Sequence, residues 1–580
     1  MYKLLICGIK KIRLNHLIIT LAFVLALIQF AYNKSLWVDD ARVALNLMEM
    51  THSELTGELR YNQSAPVGFL QIEKLLLRVV PDSEYGMKFF PLVSFLVSIL
   101  LFGKIAGRLL KNEHAVNAAL AVFAFNSGML FYSSEIKQYS SDAAIALLLF
   151  WLSSREWTDE RVRLRVLALV GAVSVFVSNI APLALAVAGV WTTVEYLKTG
   201  IEKQKLINLT ALAAVWLLAF GLYWDLFVPP PESWTRRYMD WYWNTQNPAF
   251  VFEHGFGNSA VLLMRQTGAF LAFYFGTPLA AGVALSLAIA GTVVCAVKKN
   301  WRVLSFAVLP FAIHFIVSAM RMFPFAPRFL IWCFPGFVIL AAAVLDELLS
   351  RMKKRGETPH RVFAFVCAGV IPLVSLASAM TDFPIASRQD FKQTIRFIAD
   401  NADLENESLM VIASAGYMFE YYARIGVVSD AMLAKATGLG WKTDVDKGVN
   451  MLLRGSRTRF EDTRGKCWIL NISGSDESRR FNPQNSRFKK PDSFARLEKS
   501  LISKDMSKIR ETDEFYESEG ATWKYMKTGF VGMKRTPGAV QNKSDLPFAL
   551  PSDANLLMRF EAPGAGAYLV DFGGNNEHAN

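Results

Sequence analysis

The hydrophobic pattern separates a long, strongly apolar N-terminal part of the chain from a mixed C-terminal part. Apolar runs of about 18 residues, the length that crosses a bilayer as a helix, and a few shorter ones alternate with polar segments up to Met380 and predict about eleven transmembrane helices. The first run follows Lys10, Lys11 and Arg13 and lacks a small-residue cleavage site, which is typical of an uncleaved anchor. The predicted spans are 14–31, 89–109, 115–132, 143–152, 166–178, 181–196, 206–228, 278–297, 303–320, 329–348 and 362–380.

The long loop 32–88 after the first span contains two segments, 40–48 and 66–80, with apolar residues at helical spacing. Such one-sided helices either lie in the plane of the membrane interface or pack against protein, and the pattern leaves both open. A second long loop, 229–276, is rich in Trp and Tyr. This composition indicates an aromatic belt at the lipid headgroups, and a substrate-facing role is left open.

Beyond residue 380, short apolar runs alternate with one-sided helical patterns, which predicts a small α/β domain. Strands are predicted at 409–413, 467–472 and 521–533, and helices at 390–400 and 417–424. From Pro537 on, Gly, Asn, Pro and Asp dominate and indicate a partly ordered tail. The predicted organisation is a membrane domain at 1–383, an α/β domain at 384–536 and a tail at 537–580.

Composition and charge support a membrane protein and set its orientation. The chain is 53% hydrophobic and only 19% charged, which excludes a disordered chain and disfavours a cytosolic enzyme. The predicted cytoplasmic segments hold 22 Lys+Arg against 9 Asp+Glu, or +13, whereas the external segments before residue 384 sum to −3 and the remainder to +2. By the positive-inside rule, the N-terminus is cytoplasmic and the C-terminal domain lies outside. The net charge of +12 therefore reflects the orientation in the membrane and does not indicate a nucleic-acid partner. The five Cys do not indicate a disulfide framework.

Ionisable residues near the membrane are candidates for function, because burying charge there is costly. They gather in three predicted external segments: the acidic pair 39–40, the turn 135–142 and the turn 321–328. Simpler explanations are a helix N-cap for the acidic pair and interfacial anchoring for Lys137 and Arg328.

These residue types suit group transfer at the outer leaflet. A carboxylate can act as general base towards a hydroxyl or amine acceptor, and cations can hold a phosphate and stabilise its charge as it leaves. The chain has no Walker A or dinucleotide-binding fingerprint, and nucleotides are not freely available outside. A lipid-phosphate donor is therefore favoured.

Four stretches, in this order, resemble motifs of the GT-C superfamily of polytopic glycosyltransferases, in particular the branch that includes the protein O-mannosyltransferases and the lipid A aminoarabinose transferase. They are Trp-Val-Asp-Asp-Ala at 37–41, Gln-Ser-Ala-Pro-Val-Gly-Phe-Leu at 63–70, Glu-Ile-Lys-Gln-Tyr-Ser-Ser-Asp at 135–142 and Phe-Pro-Phe-Ala-Pro-Arg at 323–328. The resemblance covers about residues 14–380. It implies a polytopic α-helical membrane protein of GT-C type, to which the small α/β extracytoplasmic domain is attached.

Carried over to this sequence, the resemblance implies that Asp39 or Asp40 is the catalytic base. The family typically has Asp followed by Glu or another acid here, and the Asp-Asp pair departs slightly, which leaves open which of the two acts. The resemblance also implies that Lys137 and Arg328 contact the oxygens of the polyprenyl phosphate. The residues implied to shape the sugar or acceptor site, or to orient the lysine, are Glu135, Tyr139 and Asp142.

The expected function is transfer of a hexosyl or pentosyl group from a polyprenyl-phosphate donor to a lipid, glycan or protein acceptor, by a single displacement with inversion and a transition state related to that of glycosidases. No cofactor or metal is expected, and a divalent cation is left open. One alternative is a transporter or flippase of lipid-linked sugars, against which the absence of repeated halves and of midplane polar sites argues. Another is a polysaccharide polymerase or ligase, which uses a lipid-diphosphate donor. Tight loops and the lack of organelle signals favour a bacterial inner membrane, with the active face towards the periplasm.

Overall fold

The computed structural model describes most of the chain up to residue 439 and shorter pieces after it. The described residues are 14–81, 83–198, 200, 202–243, 249–250, 256–275, 277–355, 362–364, 366–381, 383–387, 389–412, 415–439, 465–471, 555–562 and 565–571.

Up to residue 380 the described chain is mostly helical. The helices are α1 (Leu14–Tyr32), α2 (Val38–Glu49), α3 (Val67–Val79), α4 (Glu84–Leu109), α5 (Glu113–Ala124), α6 (Ser127–Tyr132), α7 (Tyr139–Ser154), α8 (Glu160–Val177), α9 (Ala181–Lys198), α10 (Lys203–Phe227), α11 (Trp234–Trp241), α12 (Phe256–Phe275), α13 (Pro278–Val297), α14 (Trp301–Ala319), α15 (Phe334–Arg355) and α16 (Ile371–Met380). Single turns of other helix types lie at Glu54–Thr56, Ile331–Cys333 and Val366–Val370.

Polar side chains explain where many of these helices start. Ser83, Asn112, Asn126 and Asp159 each accept a hydrogen bond from a backbone N–H in the first turn of the helix that follows, which satisfies a donor that has no partner within the helix. The cap at Asn126 divides the predicted span 115–132 into two helices, because a new helix begins directly after it.

Six described helices are long and apolar enough to cross a membrane. They are Leu14–Tyr32, Glu84–Leu109, Lys203–Phe227, Leu279–Val297, Trp301–Ala319 and Ile331–Lys354. Ala181–Leu197 and Ile371–Met380 are apolar but shorter. The other predicted spans lie on helices that are short or carry more charge, so the described helices do not by themselves reproduce the expected count of about eleven.

The largest difference from the predicted elements lies in 229–276, where an external loop was expected. The structure places α11 there and then α12, a helix of 20 residues. Asn258, Arg265 and Gln266 interrupt the apolar run of α12, so the hydrophobic pattern gives no uninterrupted stretch of spanning length.

The membrane-type helices pack around one large apolar core, and glycines allow two of the close approaches. A Cβ added at Gly291 of α13 would lie 2.0 Å from the carbonyl oxygen of Leu340 in α15. A Cβ added at Gly336 would lie 2.8 Å from the backbone of Ala307 in α14. Small residues at helix contacts bring the backbones together and so increase the van der Waals packing between helices.

The described residues after 390 form a sheet with helices. The helices are α17 (Phe391–Asn401), α18 (Gly416–Arg424) and α19 (Asp430–Lys435), and the strands are β1 (Ser408–Ile412), β2 (Ala436–Leu439), β3 (Lys466–Asn471), β4 (Asn555–Ala562) and β5 (Ala565–Asp571). The sheet order is β2-β1-β3-β5-β4. Strands β2, β1 and β3 are parallel, whereas β5 is antiparallel to both β3 and β4.

The interpretation of 537–580 as a tail separate from the α/β domain is wrong for its described residues. Strands β4 and β5 belong to this segment, and β5 pairs directly with β3 in the middle of the sheet. Ala567, Tyr568 and Val570 are buried there, because both faces of a central strand are covered. The segment was not predicted to form strands because its frequent Gly and Pro residues are typical of loops. The strand predicted at 521–533 lies outside the described residues.

The one-sided helices α2 and α3 pack against protein, which decides between the two alternatives that their pattern left open. Val43 of α2 and Phe69 of α3 lie in the same buried apolar cluster as Phe391, Tyr422 and Trp468. This second core therefore joins the loop after the first helix to the C-terminal sheet and helices, and it fixes the position of α2.

Candidate active site

The acidic pair lies in the first turn of α2. The N-cap position is held by Trp37, whose side chain makes no capping hydrogen bond. Asp39 and Asp40 follow inside the helix, so the explanation of the pair as N-caps is wrong. Negative charge in a first helical turn is nevertheless favourable, because it faces the positive end of the helix dipole.

Asp39 is the member of the pair that solvent can reach. Its side chain is 24% exposed, and its carboxylate lies 3.4 Å from a guanidinium nitrogen of Arg328. A guanidinium nitrogen of Arg42, one turn along the same helix, lies 3.9 Å from the other carboxylate oxygen. Asp39 is thus a carboxylate between two cations.

Asp40 has a different environment, since it is only 1% exposed. Among the described residues, no hydrogen bond of ordinary geometry reaches either of its oxygens. Burial, followed by the negative charge of Glu135, raises the pKa of Asp40 well above its usual range. The nearby ammonium groups of Lys137 and Lys34 offset this only in part, because removing a carboxylate from water penalises its charged form strongly.

Glu135 forms an ion pair with Lys34, a residue between α1 and α2. Both side chains are buried. The Lys34 ammonium also donates to the carbonyl oxygen of Phe131, over 3.0 Å, and lies 3.3 Å from the centre of its ring. Burial lowers the pKa of Lys34 to about 8, although the charge of Glu135 opposes the shift.

Lys137 connects the turn before α7 to the acidic pair. Its ammonium donates to the side-chain oxygen of Gln63 over 2.6 Å, and the residue is 5% exposed. Burial lowers its pKa, and the negative charges of Asp39 and Asp40 oppose that shift. The positive charge of Arg328 adds to the lowering. A buried ammonium held by protein groups is not an interfacial anchor, so that explanation is wrong for Lys137.

Arg328 lies against aromatic rings. Its guanidinium carbon is 4.8 Å from the ring centre of Trp243 and 5.4 Å from that of Phe329. Tyr139 packs edge-on to Phe329, at 6.1 Å between ring centres, and edge-on to Tyr132, at 4.9 Å. Contacts of a guanidinium with aromatic rings at these distances stabilise its positive charge and help to fix its position.

Asp142 has a different partner. It accepts a hydrogen bond from the hydroxyl of Ser178, in the turn between α8 and α9. This contact gives Asp142 a structural role in holding two helices, and the sugar-site role that the resemblance implies for it stays a prediction.

Three further residues of this region were given no role from the sequence: Lys34, Arg42 and Gln63. Trp243 belongs to the aromatic-rich segment 229–276, for which a membrane belt was expected and a substrate-facing role was left open. Arg42 carried a usable signal, because residues three apart on a helix are neighbours and it follows Asp39 by three. Gln63 lies in one of the quoted motifs. Lys34 is brought in by tertiary packing alone.

Taken together, the loop after α1, the turn before α7 and the segment before α15 supply adjacent acids and cations. Such a set can bind an anion and accept a proton beside it. Within the described part of the chain, no three His, Cys, Asp or Glu side chains come together as a metal-binding group. The expectation that no metal is needed stays a prediction.

No protein-family model matches the chain, and no curated protein matches it in sequence. Among solved structures, the chain is similar to an oligosaccharyltransferase from Archaeoglobus fulgidus, in complex with Zn and sulfate, at a TM-score of 0.44 and 12% identity, over 70% of this chain and 61% of that one. The chain thus spans less than two thirds of that protein.

It is also similar to ArnT from Cupriavidus metallidurans in the apo state, at a TM-score of 0.44 and 12% identity, over 78% of this chain and 92% of that one. The undecaprenyl-phosphate-bound structure of ArnT gives a TM-score of 0.39 at 12% identity, over 84% and 94% of the two chains. Both proteins are GT-C glycosyltransferases, the superfamily that the sequence motifs resemble. At these scores the likeness concerns the course of the chain and supports no inference about ligands or chemistry.

Proposed function

We propose that this protein is an integral-membrane glycosyltransferase that transfers a sugar from a polyprenyl-phosphate donor to a lipid, glycan or protein acceptor. The observation that carries the proposal is the ion pair between Asp39 and Arg328, which are 289 positions apart in sequence. It brings a solvent-accessible carboxylate to a guanidinium, next to the buried ammonium of Lys137. These are the groups that transfer from a phosphate-linked donor requires.

Asp39, and not Asp40, is proposed as the base. A base must be ionised and within hydrogen-bond reach of the acceptor. Asp39 is partly exposed and lies beside cations that favour its charged form. Asp40 is enclosed by protein, and the burial that raises its pKa disfavours the ionised form that a base must have.

In the proposed reaction, the acceptor hydroxyl or amine gives its proton to the Asp39 carboxylate as its O or N forms a bond to the anomeric carbon. The bond between that carbon and the phosphate oxygen breaks, and the polyprenyl phosphate leaves with the electron pair. Lys137 and Arg328 stabilise the negative charge that develops on the phosphate. One displacement of this kind inverts the configuration at the sugar carbon.

Asp40, Glu135 and Lys34 are proposed to support this site. Their buried side chains lie close to Asp39 and Lys137 in the chain and include an ion pair between Lys34 and Glu135. Such a pair orders the turn that carries Lys137, because breaking a buried pair leaves an uncompensated charge.

The site is proposed to face the outside of a bacterial inner membrane, with the C-terminal domain in the periplasm. The charge difference between the predicted cytoplasmic segments and the external ones supports this orientation. An external site also fits a lipid-phosphate donor, since such a donor carries its own activation and needs no nucleotide.

The test follows radiolabel from purified polyprenyl-phosphate sugars into lipid, glycan and protein fractions, using membranes that contain the wild type, Asp39→Asn or Asp40→Asn. Asp39→Asn is expected to lower the rate by about 10²-fold or more, the typical contribution of a positioned general base. The matched control Asp40→Asn is expected to retain most of the activity, because an amide resembles the protonated acid that it replaces.

Normal transfer by Asp39→Asn would refute the assignment of the base. The donor that is used and the product that is formed distinguish the proposed function from the two alternatives, a polymerase or ligase and a flippase. A polymerase or ligase uses the lipid-diphosphate donor in the same assay and ignores the monophosphate. A flippase moves the labelled lipid across the bilayer without breaking the bond between sugar and phosphate.

A further inference from the structure

The segment between α1 and α2 leads directly into the candidate active site and has no regular secondary structure of its own. Two of its backbone groups are bound by residues that follow more than 350 positions later. The N–H of Leu36 donates to the hydroxyl of Tyr422 over 2.8 Å, and the carbonyl of Asn33 accepts from the ammonium of Lys392 over 2.8 Å.

Side chains reinforce this attachment. The hydroxyl of Ser35 donates to Asp390 over 2.7 Å and accepts from the N–H of Lys392 over 3.0 Å. One helical turn before the segment begins, the amide of Gln29 exchanges two hydrogen bonds, of 2.8 and 2.9 Å, with the backbone of Ile385. The chain after the last apolar helix therefore runs along the chain after the first one.

The start of α2 shows the consequence most clearly. Trp37, at the N-cap position, makes no side-chain cap. The side-chain oxygen of Gln389 accepts the N–H of Val38 over 2.9 Å. A residue 351 positions away thus satisfies a helix-start donor that the local sequence leaves without a partner.

Gln389 is itself held in place. It is 6% exposed, and its own N–H donates to the hydroxyl of Ser387 over 3.2 Å. Its bond to Val38 lies in a partly buried place, where a donor that loses its acceptor cannot regain all of its hydrogen bonding from water. The bond to Val38 therefore matters more than an exposed cap of the same length would.

We propose that Gln389 is a positioning residue for Asp39: by capping α2 from the C-terminal segment, it holds the first turn of that helix where the carboxylate meets Arg328. The proposal rests on the proposed function for its effect on rate. The capping itself is independent of any activity, and the two are tested separately.

Three variants of the full-length protein serve the test. Gln389→Leu removes the acceptor at similar volume, and Gln389→Glu keeps an oxygen at the same reach. Gln393→Leu is the matched control, because the side-chain amide of Gln393 makes no hydrogen bond among the described residues. Amide hydrogen exchange is measured by mass spectrometry on peptides that cover residues 33–50, and transfer from the polyprenyl-phosphate sugar is measured alongside.

Gln389→Leu is expected to speed exchange in the first turn of α2 roughly five-fold, the factor for a lost cap. It is also expected to lower kcat by about the same factor or more while the KM for the donor changes little, because a displaced base affects the chemical step. Gln389→Glu and Gln393→Leu are expected to match the wild type in both measurements, which a general loss of folding would not permit.

Unchanged exchange in Gln389→Leu overturns the proposal. Faster exchange with an unchanged kcat overturns the positioning role and leaves only a structural cap. If the wild type transfers no sugar while exchange still responds to Gln389→Leu and not to Gln389→Glu, the proposed function fails and the capping of α2 by Gln389 stands.

Discussion

At the scale of single residues, Asp39 and Asp40 are neighbours in the chain but belong to different environments. Asp39 meets Arg328 at a partly exposed surface, whereas Asp40 is enclosed beside Glu135 and two lysines. Helix geometry is the reason, because consecutive residues point about 100° apart around the axis. The same residue type therefore serves as the proposed base at position 39 and as a buried acid at position 40.

This difference predicts a pH-dependent stability. The folded state raises the pKa of Asp40, so folded protein holds a proton that unfolded protein releases above about pH 4. The stability that this proton contributes is present at low pH and is lost as the pH rises towards the folded-state pKa. Asp40→Asn removes the effect, so its melting temperature minus that of the wild type should increase as the pH rises above the pKa of an unfolded Asp, about 4.

Thermal unfolding of the detergent-purified proteins measures this difference, and the exposed Asp430 provides the control through Asp430→Asn. Taking the difference between variant and wild type cancels the titration of lysines common to both. A difference, variant minus wild type, that stays constant or falls as the pH rises would contradict a raised pKa of Asp40 in the folded protein.

At the scale of elements, the contact between α13 and α15 depends on a missing side chain. Gly291→Ala places a Cβ within 2.0 Å of the carbonyl oxygen of Leu340, so the two backbones must separate. A Cβ added at Gly282, on the same helix, would meet nothing within 4 Å, so Gly282→Ala provides the matched control.

Gly291→Ala is expected to destabilise the fold by about 1–3 kcal/mol, the usual cost of overpacking. The melting temperature is therefore expected to fall by several degrees. Gly282→Ala is expected to leave the melting temperature unchanged or to raise it slightly, since alanine favours a helix by about 1 kcal/mol over glycine. Equal effects of the two substitutions in a thermal-shift measurement would contradict a specific close approach at Gly291.

The elements also show what a sequence pattern can predict. The apolar runs locate α1, α4, α10, α13 and α14 closely, because burial in lipid demands continuous apolar residues. The same criterion does not find helix α12, because Arg265 and Gln266 interrupt its apolar residues. Strands β4 and β5 were not predicted either, because pairing partners and not local propensity decide whether a Gly-rich segment becomes a strand.

The candidate site was predictable in its parts and not in its contacts. The signals at Asp39, Lys137 and Arg328 are local, because charge is rare beside apolar runs and stands out. The choice between Asp39 and Asp40 depends on tertiary burial. The cap from Gln389 depends on a contact that no local pattern encodes.

At the scale of the whole molecule, the predicted orientation can be tested with single exposed cysteines. Ala431→Cys in α19 is expected to react with a membrane-impermeant maleimide in sealed right-side-out vesicles, and Lys354→Cys at the end of α15 only after the vesicles are opened. Both positions are exposed, and the charge distribution places them on opposite sides.

The wild type, with its five Cys, gives the background of the labelling experiment. Reaction of both variants before lysis, or of Lys354→Cys alone, would reverse or remove the predicted orientation. Reaction of Lys354→Cys alone would also move the proposed site to the cytoplasmic face, where nucleotide-linked donors become available.

The bonds from Ile385, Gln389 and Lys392 to the segment after α1 have a consequence for biosynthesis. Ribosomes make Asp39 some 350 residues before they make Gln389, so the first turn of α2 has no cap while the intervening helices are being inserted. The acids and cations of the site reach their final arrangement only when the chain beyond the last apolar helix has emerged and docked. A nascent chain therefore lacks the cap on α2, and with it the complete candidate site, until the segment around Gln389 has been made.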